Sequence, residues 1–321
     1  MVGLALPGRA VTSRAVTSPA VTGRAGGATE HVGTVARLGL TPLKGAAHPR
    51  PERIVVWRDE VVGDRRWSLI QPVASGWRIV RTVESPMMTA ARARCDVGGA
   101  LFLELPGGRR FVVDGAGSAG AGAGAGAGVA GADAAGVIAE YWGRPTYVRL
   151  VPGQWDRALS DLLGREVHLV TVDRAGAVVF AEPVSIVTTS SVREIARRAG
   201  VSGGDPDGGH IGVGASGVDD ERFRSTVVID TPDLFAFAED GWVGGLLRVG
   251  SVELIVRQRL ARCGVIRIQP GTSVVGGPDP LRLLAADRVV HGEVVFGLGA
   301  AVAVPGEIAV GDPVRLTRWG S

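Results

Sequence analysis

Cysteine is almost missing from this chain: Cys95 and Cys263 are the two in 321 residues. Two cysteines build no disulfide framework, although a single bridge stays open on the sequence. No C-x-x-C pair occurs, so the spacing of a structural zinc site is missing too. Charge of one sign is also scarce. The formal net charge is +3 at pH 7, and arginines are spread along the chain, so there is no electrostatic footprint of a nucleic-acid binder. No apolar run reaches the ~18 residues a membrane helix needs. With no clear secretion signal either, the expected location is cytoplasmic. A G-x-S-x-G elbow is absent. The five histidines (His31, His48, His168, His210, His291) show no metal-ligand spacing and read as surface or incidental residues. The acidic clusters Asp219-Asp220-Glu221 and Glu239-Asp240 read as solvated loops.

What is present is apolar residues, at 45%, enough for a sizeable core, and a length that suits two domains. Residues 1–30 stand apart. RAVTSRAVTSPAVTGRA repeats a five-residue unit, and no acid precedes Glu30. That composition overlaps with transit peptides but reads as a disordered tail. From His31 to Asp114 short β-rich runs dominate: RIVVW, RWSLIQPV, GWRIVRTV, ALFLEL and RRFVVD, separated by Gly, Pro and Asp. They predict a barrel or curled sheet. A Gly/Ala-rich insertion follows at 115–136. It opens with a formal G-x-G-x-x-G after a strand, but the continuing glycines make a poor helix, so it reads as a surface insertion.

Beyond the insertion, PTYVRLV, REVHLVTV and AVVFAEPVSIV predict strands. QWDRALSDLLG predicts a helix stopped by Gly164. Ser191-Val192-Arg193-Glu194 has the capping-box pattern and predicts the start of a second helix. Gly200 to Gly217 predicts a loop. The last hundred residues are strand-dominated, with GVIRI (Gly264 to Ile268) among the expected strands. One helix is expected at DPLRLLAADR, capped by Asp279 with Pro280 in its first turn. The fold class expected is mainly β with a few helices (α+β).

Cys263 is the chemically distinctive residue. Arg257, Arg259 and Arg262 precede it, and nearby cations favour the thiolate, the form that binds a soft metal. Cys95, in RARCDVGG, has a similar flank, so the flank alone leaves an inert buried cysteine equally open.

RQRLARCGVIRIQPGT, DPLRLLAADR and VVFGLGAAVAVPGEIAVGDPVRL together resemble the end of a MOSC domain. That family includes the C-terminal domain of molybdenum cofactor sulfurase and the mitochondrial amidoxime-reducing components. FAEDGWVGGLLRVGSVEL resembles the stretch before the family's cysteine. VGTVARLGLTPLKG resembles the start of the β-barrel domain that precedes MOSC in these proteins, with Lys44 at the lysine of a Y-P-V-K-like motif. GDRRWSL resembles D-R-x-W, with Arg65 at its arginine. The resemblance spans about His31 to Leu316 without the insertion. It implies an N-terminal β-barrel domain at 31–165 followed by a MOSC β-barrel domain at 166–321.

The resemblance implies a molybdenum cofactor, a pyranopterin dithiolene carrying a phosphate. Lys44, Arg65 and Arg224 would bind the cofactor, and Cys263 would be the metal ligand and catalytic residue. It implies an oxidoreductase that reduces N-hydroxylated or other oxygenated small molecules at molybdenum. No flavin, haem or iron–sulfur signature is present, so electrons would come from a separate reductase or ferredoxin-like partner. Neither nucleic acid nor a membrane span enters this reading. Pyridoxal phosphate is a family association of the sulfurases only. Three motifs depart from the family pattern. F-R-P-N is Phe223-Arg224-Ser225-Thr226, D-P-x-T-G is Gln269-Pro270-Gly271-Thr272-Ser273, and Gly45 stands where a small polar residue is common. The first departure leaves room for a non-catalytic carrier of cofactor or sulfur.

Overall fold

The computed structural model describes residues 28–114, 135–174, 176–200 and 220–318. Most of the expected tail, the G-x-G-x-x-G of the Gly/Ala stretch and residues 201–217 of the expected loop lie outside them. The strands of the first half are β1 (Thr29–Leu38), β2 (Arg53–Val56), β3 (Trp67–Val73), β4 (Gly76–Ile79), β5 (Arg92–Cys95), β6 (Leu101–Glu104), β7 (Arg110–Val113), β8 (Gly136–Tyr141) and β9 (Arg144–Leu150). Helix α1 (Gln154–Leu163), β10 (His168–Val172), β11 (Val184–Thr188), α2 (Thr189–Arg198) and β12 (Val227–Asp230) follow. The rest comprises β13 (Leu246–Val249), β14 (Val252–Ala261), α3 (Pro280–Ala285), β15 (Val289–Val290), β16 (Glu293–Val304), β17 (Gly306–Ala309) and β18 (Pro313–Thr317).

Two barrels result, as a mainly β chain with few helices requires. The smaller is a closed ring β10-β3-β4-β8-β9. The larger runs β11-β12-β1-β18-β13-β14-β16 and closes because β11 also pairs with β16. Its β11/β12 pair is parallel, and α2 lies in the crossover between them, as a parallel pair requires. Closure leaves no open edge in either ring. Apolar alternation fills both interiors: Val35, Ile186, Ile229, Leu254 and Leu298 in the larger, Ile70, Ile79, Val148 and Val170 in the smaller.

The two barrels exchange strands across residues 165/166. β1 inserts between β12 and β18 of the larger barrel, burying Val32, Val35 and Leu38 there. Conversely β10 pairs with β3 and β9 of the smaller one. Thr29 and Glu30, counted with the tail, already belong to β1. The chain therefore crosses between the barrels twice, after β1 and after β10, and each crossing brings a loop to their junction.

Helix α1 ends as expected, with Gly164 at φ +64° as its left-handed cap. Helix α2 starts earlier than its capping-box pattern. Thr188, not Ser191, is the N-cap, and its side chain accepts from the Ser191 N–H. The Ser191 hydroxyl instead donates to the buried Glu239 at 2.8 Å. Glu239 and Asp220 are thus not solvated: Asp220 accepts from Arg37 Nε at 2.7 Å in a buried ion pair. GVIRI is not a strand either. Gly264–Arg267 forms a 3-10 turn directly after Cys263. A five-residue apolar run carries too little periodicity to separate the two.

Candidate functional site

Two loops are laced together at the barrel junction. The Asp64 carboxylate accepts the Thr41 N–H at 2.7 Å and pairs with the Arg65 guanidinium. Backbone bonds run from Arg65 N to Thr41 O, from Trp67 N to Pro42 O and from Lys44 N to Trp67 O. Trp67 is buried and anchors the lacing in the core. This is what the D-R-x-W and lysine motifs do physically: they hold Lys44 and Arg65 side by side.

Arg224 enters from the other barrel, just before β12. Its Nη2 donates to Ala46 O at 2.6 Å and to Thr41 Oγ1 at 3.2 Å. Thr41 Oγ1, accepting there, gives its own proton to His48 Nδ1 at 2.7 Å. That fixes the tautomer, so His48 Nε2–H donates to Ser225 O at 3.0 Å. Burial, then Arg224 and Arg37, push the His48 pKa well below its ordinary value, so the ring is neutral. His48 is therefore not incidental, as its isolation in sequence implied, but a buried tie between the two barrels.

Lys44 Nζ donates to Tyr141 Oη at 3.1 Å, the last residue of β8. Burial is the main cause that lowers the Lys44 pKa to about 7, followed by Arg65 and Arg224, with Cys263 and Asp64 opposing. Arg224 is lowered to about 10 by burial and by Arg65. The Tyr141 hydroxyl is pushed up by burial, while Arg65 and Arg144 oppose and Cys263 adds to it. Lys44 lies in the fields of Arg65, Arg224 and Cys263, and Tyr141 in those of Arg65 and Cys263, so the fold gathers these residues from positions far apart in the chain. Cys263 itself is exposed.

Arg262 holds Cys263 in place. Its Nε donates to Phe296 O at 2.7 Å and its Nη1 to Phe223 O at 2.9 Å. Its Nη2 is buried without a hydrogen-bond partner among the described residues. Burial lowers its pKa to about 10. In the sequence Arg262 reads only as a flank of Cys263 and His48 as incidental, and Tyr141 stands out in no way. The Arg-Cys pair was a signal for the first; no local signal marks the other two.

The departures now have structural readings. Gly45 sits at φ +93°, in the region that favours glycine. Thr226 turns its hydroxyl to Ser185, 3.1 Å away on β11. Ser225 Oγ is buried without a partner among the described residues.

Chemically, Lys44, Arg65 and Arg224 outnumber the carboxylates that act on them, Asp64 and Glu221, and the repulsion among the cations is relieved by an anion. Guanidinium forks suit phosphate oxygens. Among the described residues no group of three or more His, Cys, Asp or Glu could hold a metal ion. A metal at Cys263 would therefore bring most of its ligands with it, as a dithiolene cofactor does. The residues fit such a group: cations for its phosphate and an accessible thiol for its metal. A separate open groove of about 450 Å³ on the smaller barrel is lined by Asp59, Arg144, Tyr147, Asp173 and Arg174, and neither Lys44 nor Cys263 borders it.

Residues 164–315 match the family model described as MOSC domain. Human mitochondrial amidoxime-reducing component 1 is 34% identical over 103 residues, covering 30% of this chain and 29% of that protein. The mouse protein of the same name is 33% identical over 103 residues, covering 30% and 29%. The match thus spans less than a third of the length of these curated relatives. The crystal structure of the YUAD protein from Bacillus subtilis aligns with 92% of this chain and 100% of its own, at 12% identity and a TM-score of 0.39. No helix among the described residues is long and apolar enough to cross a membrane. From the strand-dominated second half, the Arg262-Cys263 pair and the matched segment, residues 164–315 of this chain are a MOSC domain.

Proposed function

We propose that the protein binds a pyranopterin molybdenum cofactor and reduces N-hydroxylated small molecules. The observation that carries this reading is the convergence of Arg65, Arg224 and Cys263 on Lys44, whose Nζ reaches Tyr141 Oη. Arg65 and Arg224 would neutralise the phosphate, each already oriented by a protein partner: Asp64 for the first, Ala46 and Thr41 for the second. The Cys263 thiolate would be the protein's ligand to the metal. When bound, the metal centre supplies two-electron redox chemistry, which no side chain here can.

The reaction consumes two electrons and two protons. The substrate's N–O bond breaks, the oxygen leaves as water, and an amidoxime becomes an amidine. The electrons come from a separate reductase or ferredoxin-like protein. Metal-loaded protein with an artificial electron donor is expected to convert an amidoxime to its amidine, read by product chromatography. Loaded protein that turns over no N-hydroxylated compound would contradict the reading. It would leave the carrier, which the Ser225-Thr226 pair favours. Thr226 is committed to Ser185 and presents no amide to a cofactor.

Lys44 gives this reading a pH signature. With its pKa at about 7, it is charged below neutrality and loses its proton above. A phosphate beside it stabilises the charged form, so binding above pH 7 takes up a proton. Affinity for inorganic sulfate, a tetrahedral oxyanion that does not itself titrate in this range, is therefore expected to hold up to about pH 7 and then fall, by up to about tenfold per pH unit. In Lys44→Met that slope disappears. Titration calorimetry at pH 6.5, 7.5 and 8.5 checks it; equal slopes in both proteins would contradict it.

A further inference from the structure

Arg222 is 2% exposed, and nothing in the reading above gives it work. Burying a guanidinium is costly unless its donors are met. This one spends two nitrogens on the segment that follows Cys263. Nη1 donates to Arg267 O at 3.2 Å and to Ile266 O at 3.4 Å, and Nη2 donates to Gly276 O at 3.4 Å.

Those three carbonyls mark the two ends of one loop. Cys263 is the N-cap of the 3-10 turn Gly264–Arg267, and its carbonyl accepts the Ile266 N–H at 3.4 Å. Ile266 and Arg267 end that turn, where carbonyls run out of partners within it and an arginine can take them. The chain then folds back on itself. Ile268 bridges Val275, and the Gln269 N–H donates to Val274 O at 2.8 Å. Gly276 is the first residue past this closure. One planar fork thus holds the turn after Cys263 to the returning chain.

The element that carries Arg222 also reaches the other side of Cys263. Arg222 belongs to the 3-10 turn Asp220–Phe223, which Arg37 pins through Asp220. Phe223 O accepts Arg262 Nη1 at 2.9 Å. Arg224, next in the chain, donates to Ala46 O in the loop of Lys44. Residues 222, 223 and 224 therefore hold, in turn, the segment after the cysteine, the segment before it, and the lysine loop.

We propose that Arg222 is a positioning residue: it fixes where the Cys263 thiol stands relative to Arg224, so that a group whose phosphate is held at Arg224 meets the thiol with its metal. This rests on the cofactor reading above. Lysine cannot replace it, because an ammonium lacks the planar fork that spans the three carbonyls.

The test uses Arg222→Met, made in a host that synthesises the pyranopterin. Pterin content and affinity for inorganic sulfate are expected to match the wild type, since Lys44, Arg65 and Arg224 are untouched. X-ray absorption at the metal is expected to show one sulfur ligand fewer, and amidoxime turnover to fall about a hundredfold, the cost of a displaced reacting group. Arg222→Lys is expected to behave the same way, and it decides alone if Arg222→Met does not fold. A wild-type sulfur count in the variant overturns the proposal. So does loss of pterin together with the sulfur ligand, because Arg222 would then support the whole core rather than the thiol.

A second readout needs no cofactor. Cys263 is exposed, whereas burial pushes the half-buried Cys95 thiol up to about 11, so a methanethiosulfonate nitroxide at neutral pH labels Cys263. In cofactor-free protein its spectrum is expected to be motionally restricted in the wild type and mobile in Arg222→Met. Equal spectra overturn the positioning. A restricted-to-mobile change in a protein that takes up no molybdenum leaves Arg222 its hold on the thiol and removes the cofactor reading. Molybdenum uptake with equal spectra does the reverse.

Discussion

Exchanging Arg224 for glutamine is expected to lower affinity for the phosphate-bearing cofactor by about tenfold to a hundredfold, the size of one or two charge-assisted hydrogen bonds. The geometry says why the loss is so large. Arg224 spends Nη2 on Ala46 O and Thr41 Oγ1, while Nε and Nη1 make no hydrogen bond among the described residues. One edge of the guanidinium is therefore anchored and another is free for an anion. Its φ of +50° places the side chain where an ordinary strand residue could not. Arg224→Lys should not restore binding, because an ammonium cannot hold both loop acceptors and offer a planar fork. Pterin content of purified protein and affinity for inorganic phosphate both check this. Wild-type values in Arg224→Gln would remove Arg224 from the site.

Gly39→Ala is expected to destabilise the protein by about 3 kcal/mol, the upper part of the range for an overpacked core position. Gly39 directly follows β1, where the two barrels meet. An added Cβ would stand 1.9 Å from His48 Nε2 and 2.5 Å from Ser225 O. Neither neighbour can yield cheaply, since His48 is held at both ring nitrogens and Ser225 O is backbone. Combined with His48→Ala, the cost should be less than the sum of the two single changes, because the ring is one of the two obstacles. Urea unfolding measures both quantities. A Gly39→Ala protein within about 0.5 kcal/mol of wild type, the range of a neutral surface change, would show that the barrel junction is looser than drawn.

These two positions illustrate how far the sequence reached. Arg224 was visible because Phe-Arg before a strand carries a family pattern that survives the loss of its Pro and Asn. Cys263 was visible through its Arg262 neighbour and the segment that follows. Helix α1 was visible because Gly164 punctuates an amphipathic run. The tie made by His48 was not. A lone histidine has no local signature, and its acceptor is the carbonyl of Ser225, 177 residues later. Tyr141 was hidden for the same reason: a strand end carries no mark of the lysine that reaches it. Asp220 and Glu239 misled because acidic pairs are usually solvated, whereas here Arg37 and Ser191 meet them inside the fold. The membership of β1 in the larger barrel was also illegible. Its alternation specifies a half-buried strand but not which sheet receives it.

The most direct measurement is molybdenum content of wild type and Cys263→Ser, both made in a host that synthesises the pyranopterin. Close to one metal per chain is expected in the wild type, with loss of metal or an altered coordination signature in the variant. Wild-type protein that carries pterin and molybdenum unchanged by the substitution would contradict Cys263 as the ligand. Wild-type protein with no molybdenum at all would contradict the cofactor, and with it the reaction assigned to this site.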